Sequence, residues 1–401
     1  MKRVYVGDFH LGADEKKAVK EVLDSGRISE WKKVREFEML WSNYVGTKYS
    51  VALSSGTAAL LSGWHSVLYR KNHDRRRKRV ITSPVTYVAT SNAIVLSGLE
   101  PVYVDIDPDT FGITPETVQE HLDGTGDIEN YLALNPVHLM GYVCNMDELN
   151  KIAKRYGLIV VEDSAQAHGS IYNGKKAGSM SLFSVFSFYI AHNIQAGEMG
   201  AVNTNDIEIY KLVKKIKANG RLCDCTVCTR HEGKCPHRSI DEDDRDPRFT
   251  HDLIGYNFKT MEFQAALAIS QVKKAGDIFY KRLANVKYLN EKLSKYSKLL
   301  KLPVYDEKVS YLAYPLVVKD EAAISRKELR SRLEKEGVEN RPLFGCIPTH
   351  QPAYAFLKEK YRDKLPNAEY ASRNGFYIGC HQYLTKDDLD YVVHVFEKIL
   401  K

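Results

Sequence analysis

The hydrophobic positions along this chain switch between two periods in a regular alternation. Short apolar or β-branched runs at Ser50–Leu53, Arg79–Thr82, Pro101–Val104, Leu132–Asn135, Leu158–Val161 and Leu182–Tyr189 predict strands. Between them, apolar residues at helical spacing predict helices over Ala58–Leu68, Tyr87–Leu96 and Met146–Tyr156. The last has both ends marked. Asn145 can cap it with Glu148 three residues on, and Met146, Leu149, Ile152, Ala153 and Tyr156 share one face before Gly157 stops it. Strands interleaved with helices imply an α/β fold with a mostly parallel central sheet covered on both faces. Such sheets bind ligands beyond the carboxyl ends of their strands.

From about Thr260 the pattern becomes helix-rich, with FQAALAISQVKKA followed by a second long helix to about Tyr296. A smaller α+β region comes next and closes on LTKDDLDYVVHVFEKILK. There Leu389, Val392, Val393, Phe396, Ile399 and Leu400 keep helical spacing, and Thr385 with Asp388 resembles a capping box. The division expected is a large domain over 1–275 and a smaller C-terminal α+β domain over 276–401. The one break in composition is Arg221–Asp252, rich in Cys, His, Asp and Arg and poor in aliphatics. A loop of that length in a compact domain usually has a function.

Composition adds exclusions. At 401 residues the chain exceeds what one hydrophobic core usually serves, which agrees with two domains. No run approaches eighteen apolar residues and the first segment turns polar early, so no membrane span and a cytoplasmic location are expected. The net charge, 58 − 51 = +7, is too mild to suggest a nucleic-acid partner. Its densest run, Arg70–Arg79, lacks interleaved aromatics and reads as a solvated helix end and loop; any role would be to attract a phosphorylated substrate. The seven cysteines suggest thiols or metal ligands rather than a disulfide framework.

Four segments carry candidate chemistry for an anionic cofactor. Ser54-Ser55-Gly56-Thr57 lies where a strand turns into a helix, so its N–H groups and hydroxyls suit a phosphate. Tyr87, in SPVTYVAT, is either a core tyrosine or a ring face for a planar group. Asp163 ends the strand LIVVED as a structural cap or as the partner of a cofactor cation, with Gln166 and His168 close behind. In Ser184–Gly200, SVFSFYIAHNIQAGEMG, a strand leads into a loop with one basic residue and then a Gly-Glu-x-Gly turn.

Taken in order, SSGTAAL, SPVTYVATSNAIVLSGLEPVYVDID, VHLMG, VEDSAQAHG, SVFSFYIAHNIQAGEMGAV and IGYNFKTMEFQAALA resemble the DegT-type sugar aminotransferase family, fold-type I enzymes that use pyridoxal phosphate on nucleotide-linked keto sugars. The resemblance runs from RISEWKKVREFE to the C-terminal helix. It implies that Gly56, Thr57 and Ser187 hold the cofactor phosphate, together with Asn257 of the neighbouring subunit in a homodimer. It also implies that Tyr87 stacks on the pyridine ring, Asp163 pairs with its nitrogen and Gln166 lies near its 3′-oxygen. Arg27, Trp31, Arg341, His350 and His381 fall in segments that, by resemblance, approach the substrate, and each could equally be structural.

Two departures shape the expectation. Where the aminotransferases carry a Schiff-base lysine, this sequence has His192, and no lysine occurs between Lys176 and Lys211. Imidazole forms no stable imine but can move protons near neutral pH. SFYIAH is the pattern of the 4-keto-6-deoxyhexose 3-dehydratases, relatives of the colitose and ascarylose enzymes, which hold pyridoxamine phosphate non-covalently. The implied activity is 3-dehydration of a nucleotide-linked 4-keto-6-deoxyhexose with His192 as acid and base. The alternatives are a sugar aminotransferase, native or carrying a lysine-to-histidine change, and a non-catalytic cofactor-binding regulator. The second departure is a cysteine cluster. Cys223, Cys225, Cys228 and Cys235 lie within thirteen residues as C-x-C-x2-C-x6-C, suited to an iron–sulfur centre, a structural zinc or free thiols. His231 and His237 are further possible ligands, whereas Cys144, Cys346 and Cys380 are isolated and read as buried small hydrophobes. An iron–sulfur centre would imply a reductase partner; without one, glutamate would regenerate the cofactor.

Overall fold

In the computed structural model, residues 2–223, 225, 227, 229, 232–234 and 245–401 are described. The strands of the main sheet are β1 (Tyr49–Leu53), β2 (Arg79–Thr82), β3 (Glu100–Tyr103), β4 (Tyr131–Asn135) and β5 (Ile159–Asp163). After a short hairpin of β6 (Ile171–Tyr172) and β7 (Lys175–Lys176), β8 (Phe183–Ser187) and β9 (Gly200–Thr204) complete it. The order is β1-β9-β8-β5-β4-β2-β3, and only β9 runs antiparallel to its neighbours. The fold is therefore α/β with a mostly parallel sheet and helices packed against it.

The strand interiors read as continuous apolar runs because both faces are covered: Val51, Leu53, Val161, Val185 and Val202 are all buried. Burying each such aliphatic side chain stabilises the fold by about 1.5–3 kcal/mol. The helix Gly56–Leu68 packs so closely on β8 that a Cβ on Gly63 would lie 2.3 Å from the Phe183 ring. A second sheet, β10 (Leu300–Lys301), β11 (Tyr314–Val318), β12 (Asn340–Pro342) and β13 (Gly375–Ile378), is antiparallel in the order β10-β11-β13-β12. The first residues join it, through a bridge between Val4 and Val338.

Local signals in the sequence hold at the ends of elements. The Asn145 side chain accepts from the Glu148 N–H, Gly157 ends that helix with φ +64, and Thr385 with Asp388 forms a capping box. Cys144, Cys346 and Cys380 are buried free thiols. Three details differ from expectation. The helix after β1 starts at Gly56, because Ser55 is its cap and accepts from the Ala58 N–H. The helix after β2 starts at Ala89, so Tyr87 lies in the loop before it. The short strand β9 follows the loop of His192, where the pattern gave no sign of one. Three of the seven Lys and Arg residues in the basic run form ion pairs, Arg70 with Asp206 and Glu208, Arg76 with Asp74, and Arg79 with Asp127 and Glu100. Among the described residues no helix is long and apolar enough to cross a membrane.

Candidate functional site

The carboxyl ends of β4, β5 and β8, with the loops after β1 and β2, enclose a cavity of about 560 Å³. Most of the residues singled out by sequence meet there. At its base the N-terminus of the helix Gly56–Leu68 faces the end of β8. The fit is tight: a Cβ on Gly56 would stand 2.7 Å from the Ser187 Cβ. Only glycine lets the Thr57 end of that helix approach Ser187 so closely, and Gly200 is similarly confined, its Cβ position 2.2 Å from the Ser55 carbonyl oxygen. The pocket left between helix N–H groups and two hydroxyls suits a phosphate dianion.

Asp163 ends β5 and is 4% exposed. One carboxylate oxygen accepts from Thr90 Oγ at 2.7 Å and the other from the Ala165 N–H at 3.2 Å. Because the Thr90 hydroxyl proton is committed to Asp163, the 2.9 Å contact from Thr86 to Thr90 must have Thr86 as donor. Burial nonetheless raises the Asp163 pKa, outweighing those bonds and the nearby His138. The carboxylate thus lacks a full counter-charge in this cavity. The adjacent Glu162 is wholly buried and held by His138 at 3.1 Å and by the Gly178 and Met180 N–H groups at 2.8 Å, which fixes the end of β5. Gln166 lines the cavity with its oxygen accepting from the Met140 N–H at 2.9 Å.

His192 closes the far wall. Its Nδ1 lies 2.7 Å from the Ser187 carbonyl oxygen. A carbonyl only accepts, so the proton belongs on Nδ1 and Nε2 keeps its lone pair. Burial, followed by the charge of Arg282, pushes its pKa down to about 4 against the pull of the Ser187 bond. The loop bearing it is fastened by Phe188 N–H to Met199 O and Ala196 N–H to Phe188 O, both 2.8 Å. Among the described residues no lysine lines the cavity.

Tyr87 stands at the mouth, 60% exposed, its ring centroid 6.0 Å from that of Phe344. Of the five substrate-side candidates only Arg341 lines this cavity, paired with Glu339 at 3.1 Å. His381 is buried behind it with Nε2 3.2 Å from the Tyr5 carbonyl. His350 pairs with Glu369 at 2.7 Å, while Trp31 gives its N–H to Glu262 and stacks under Arg27.

Asn257 lies elsewhere. With Cys223 and Cys225 it lines a second cavity of about 380 Å³, crowded with Arg35, Lys217 and Arg221. Cys228 and Cys235, like His231 and His237, lie outside the described residues. Among the described residues no three metal-ligating side chains gather. Sequence reasoning missed the Thr86–Thr90 relay, whose only signal is a pair of hydroxyls four apart in VTYVAT, and the buried Arg282.

A model of the DegT/DnrJ/EryC1/StrS aminotransferase family matches residues 10–397. This chain belongs to that family. The GDP-4-keto-6-deoxy-D-mannose 3-dehydratase of Escherichia coli O55:H7 is 29% identical to it, over 95% of this chain and 96% of that protein. A solved structure of GDP-4-keto-6-deoxymannose-3-dehydratase with a trapped PLP-glutamate geminal diamine aligns at TM-score 0.86 and 27% identity, covering 99% and 100% of the two chains. Helicobacter pylori PseC, an aminotransferase of pseudaminic acid biosynthesis, aligns as well: TM-score 0.87, 27% identity, 100% and 99% covered. Family membership makes the chain an enzyme of the sugar-modifying aminotransferase family, and these similarities are too even to choose between dehydration and amino transfer.

Proposed function

We propose that the chain is a 3-dehydratase of a nucleotide-linked 4-keto-6-deoxyhexose that works with pyridoxamine phosphate held without a covalent bond. The observation that carries this reading is the composition of the cavity wall. It offers no lysine to form an imine, and His192 stands over it with Nε2 unprotonated. The residues fit the cofactor: a cradle at Gly56, Thr57 and Ser187 for the phosphate, Asp163 for the ring nitrogen, and Tyr87 for the ring face. Gln166 has already given its oxygen to Met140, so its donor end is the part left for the cofactor's 3′-oxygen.

Bound there, the cofactor would supply an amine to condense with the C4 ketone and a ring able to take up electrons. Asp163, short of counter-charge, would keep that ring nitrogen protonated. His192 Nε2, unprotonated and aimed into the cavity, would be the group to accept the proton lost by the cofactor. Once charged, the imidazole sits where its charge is disfavoured, which makes it a strong acid toward the departing C3 hydroxyl. Asn257, outside this cavity in its own chain, would complete the cradle of a second subunit in a homodimer.

Incubation with CDP-, GDP- and dTDP-4-keto-6-deoxyhexoses, read by mass spectrometry, tests the activity. Loss of water from one of them supports it, and transfer of an amino group to the sugar with none lost supports the aminotransferase reading. Borohydride reduction should leave no cofactor on the polypeptide. Turnover divides on the cysteine loop: iron with labile sulfide supports an iron–sulfur centre and a reductase donor. Zinc or bare thiols support regeneration by glutamate.

A further inference from the structure

Behind the His192 loop lies a charge that the chemistry above does not use. Arg282, on the helix Ala275–Leu293, is only 2% exposed, and no carboxylate among the described residues lies within ion-pair distance. Its donors go to neutral acceptors: Nε to Gln382 Oε1 at 3.0 Å, Nη1 to the Leu312 carbonyl at 2.8 Å and the Tyr311 carbonyl at 3.3 Å, with the Cys380 thiol, kept neutral by burial, as a further neighbour. A buried guanidinium without a counter-ion gives up its hydration for little in return, so its position calls for a function.

That position is defined by three contacts. Leu312, whose carbonyl it holds, lines the His192 cavity. Asn193, next to His192, donates to the Ser310 carbonyl of the same stretch at 2.6 Å. One turn before Arg282, Phe279 packs so tightly on Gly169 that a Cβ there would meet its ring at 2.3 Å, which places the helix against His168. His168 is wholly buried in a box of Trp41, Phe186 and Phe188, its ring centroid 5.9 Å from that of His192. Neither of its ring nitrogens makes a hydrogen bond of ordinary geometry.

We propose that Arg282 is a positioning residue for His192: a buried, uncompensated cation that braces the 310–312 wall of the cavity and keeps the His168–His192 pair uncharged, so that the resting enzyme presents a base. This rests on the reading of His192 as the proton carrier. The groups that face His192 are few. Tyr189 and Glu198 come from its own loop, Asp163 from β5, Tyr87 and Arg341 from across the cavity, and His168 and Arg282 from behind. Of these charges Arg282 is the one that acts on the His192 ring, and it opposes an imidazolium. Burial lowers the pKa of both imidazoles, and Arg282 adds to each in the same direction.

The test is a histidine titration followed by nitrogen NMR on the apoprotein, with His192→Asn and His168→Asn proteins to assign the signals. In the unaltered protein both rings should remain neutral through pH 6. In Arg282→Met the His192 midpoint should rise by about one unit, the scale of one charge at medium range in a protein. Arg282→Lys should hold it near its original value. The acid limb of the kcat/KM profile should move with it, whereas a merely structural loss would lower kcat at every pH alike. An ordinary midpoint near 6.5 in the unaltered protein overturns the proposal, as does an unmoved midpoint in a folded Arg282→Met protein. Should Arg282→Met not fold, Arg282→Gln, which removes the charge but keeps donors for Leu312 and Gln382, takes its place: a raised His192 midpoint supports the proposal and an unmoved one overturns it. Since the titration needs no substrate, it can fail while the dehydratase reading stands, and the reverse.

Discussion

The two cavities of this protein handle charge in opposite ways. The His192 cavity is built from strand ends and holds its titratable groups away from their usual balance: a carboxylate at Asp163 without a counter-ion and an imidazole kept neutral. The second cavity gathers Arg35, Lys217 and Arg221, but much of that charge is already paired. Lys217, 3% exposed, lies 3.0 Å from Glu30 and 3.5 Å from Glu38, and Arg35 binds the same two carboxylates. Satisfied charge of this kind holds chain segments together. Charge left unbalanced is what can move a proton.

The sharpest test of that contrast is His192→Asn, which removes the proton carrier and keeps a side chain of similar reach. Dehydration should fall by about 10²–10⁴-fold while cofactor binding, followed by absorbance, persists. A protein that retains most of its rate would place the base elsewhere. In the second cavity the expected loss is of stability: Lys217→Met leaves Glu30 and Glu38 with one cation and should cost about 3–5 kcal/mol in urea unfolding. Per folded molecule, cofactor affinity should stay unchanged. A smaller effect is expected from Gly56→Ala, whose methyl would press on Ser187. Cofactor affinity should weaken about tenfold, equivalent to about 1.4 kcal/mol, in a fluorescence titration.

The gentlest change is in the pH dependence of stability just below neutrality. His168, His192 and His381 are all held below the ordinary imidazole range, chiefly by burial, the last two at about 4. The folded state therefore stays neutral where the unfolded chain takes up protons. The contribution of these histidines to stability should be full above about pH 6.5 and decline as pH falls toward about 4. Thermal melts across that interval measure it, and a flat profile would mean that these rings are open to water.

What the sequence made legible and what it hid divide along the same lines. Gly56, Asp163, Ser187 and His192 sit within short contiguous motifs where a strand ends, and parallel sheets bring such ends together by construction. Both capped helices announced themselves because a cap is a local hydrogen bond. Tyr87 kept its place at the cavity but not its helix, since the turn after Pro84 holds the chain irregular until Ala89. Arg282 gave no signal at all. It stands in KRLANVKYLNEK among charged residues that do face water, and only tertiary packing shows that it does not. Similarly, the second cavity draws on segments near 30, 220 and 257, and no local pattern anticipates that meeting.

The bridge between Val4 and Val338 bears on the order of assembly. Val6 lines the His192 cavity and gives its N–H to Glu339, a partner 333 residues later in the chain, while the Asp8 carbonyl receives the side chain of Gln195. During synthesis the segment of Val4 and Val6 must therefore wait for residues 337–339 before it can pair with them. Its docking closes a very long loop and completes the roof of the cavity. Nascent chains should thus acquire the phosphate cradle well before they acquire an enclosed site, so that competence arrives only after residue 339 has emerged.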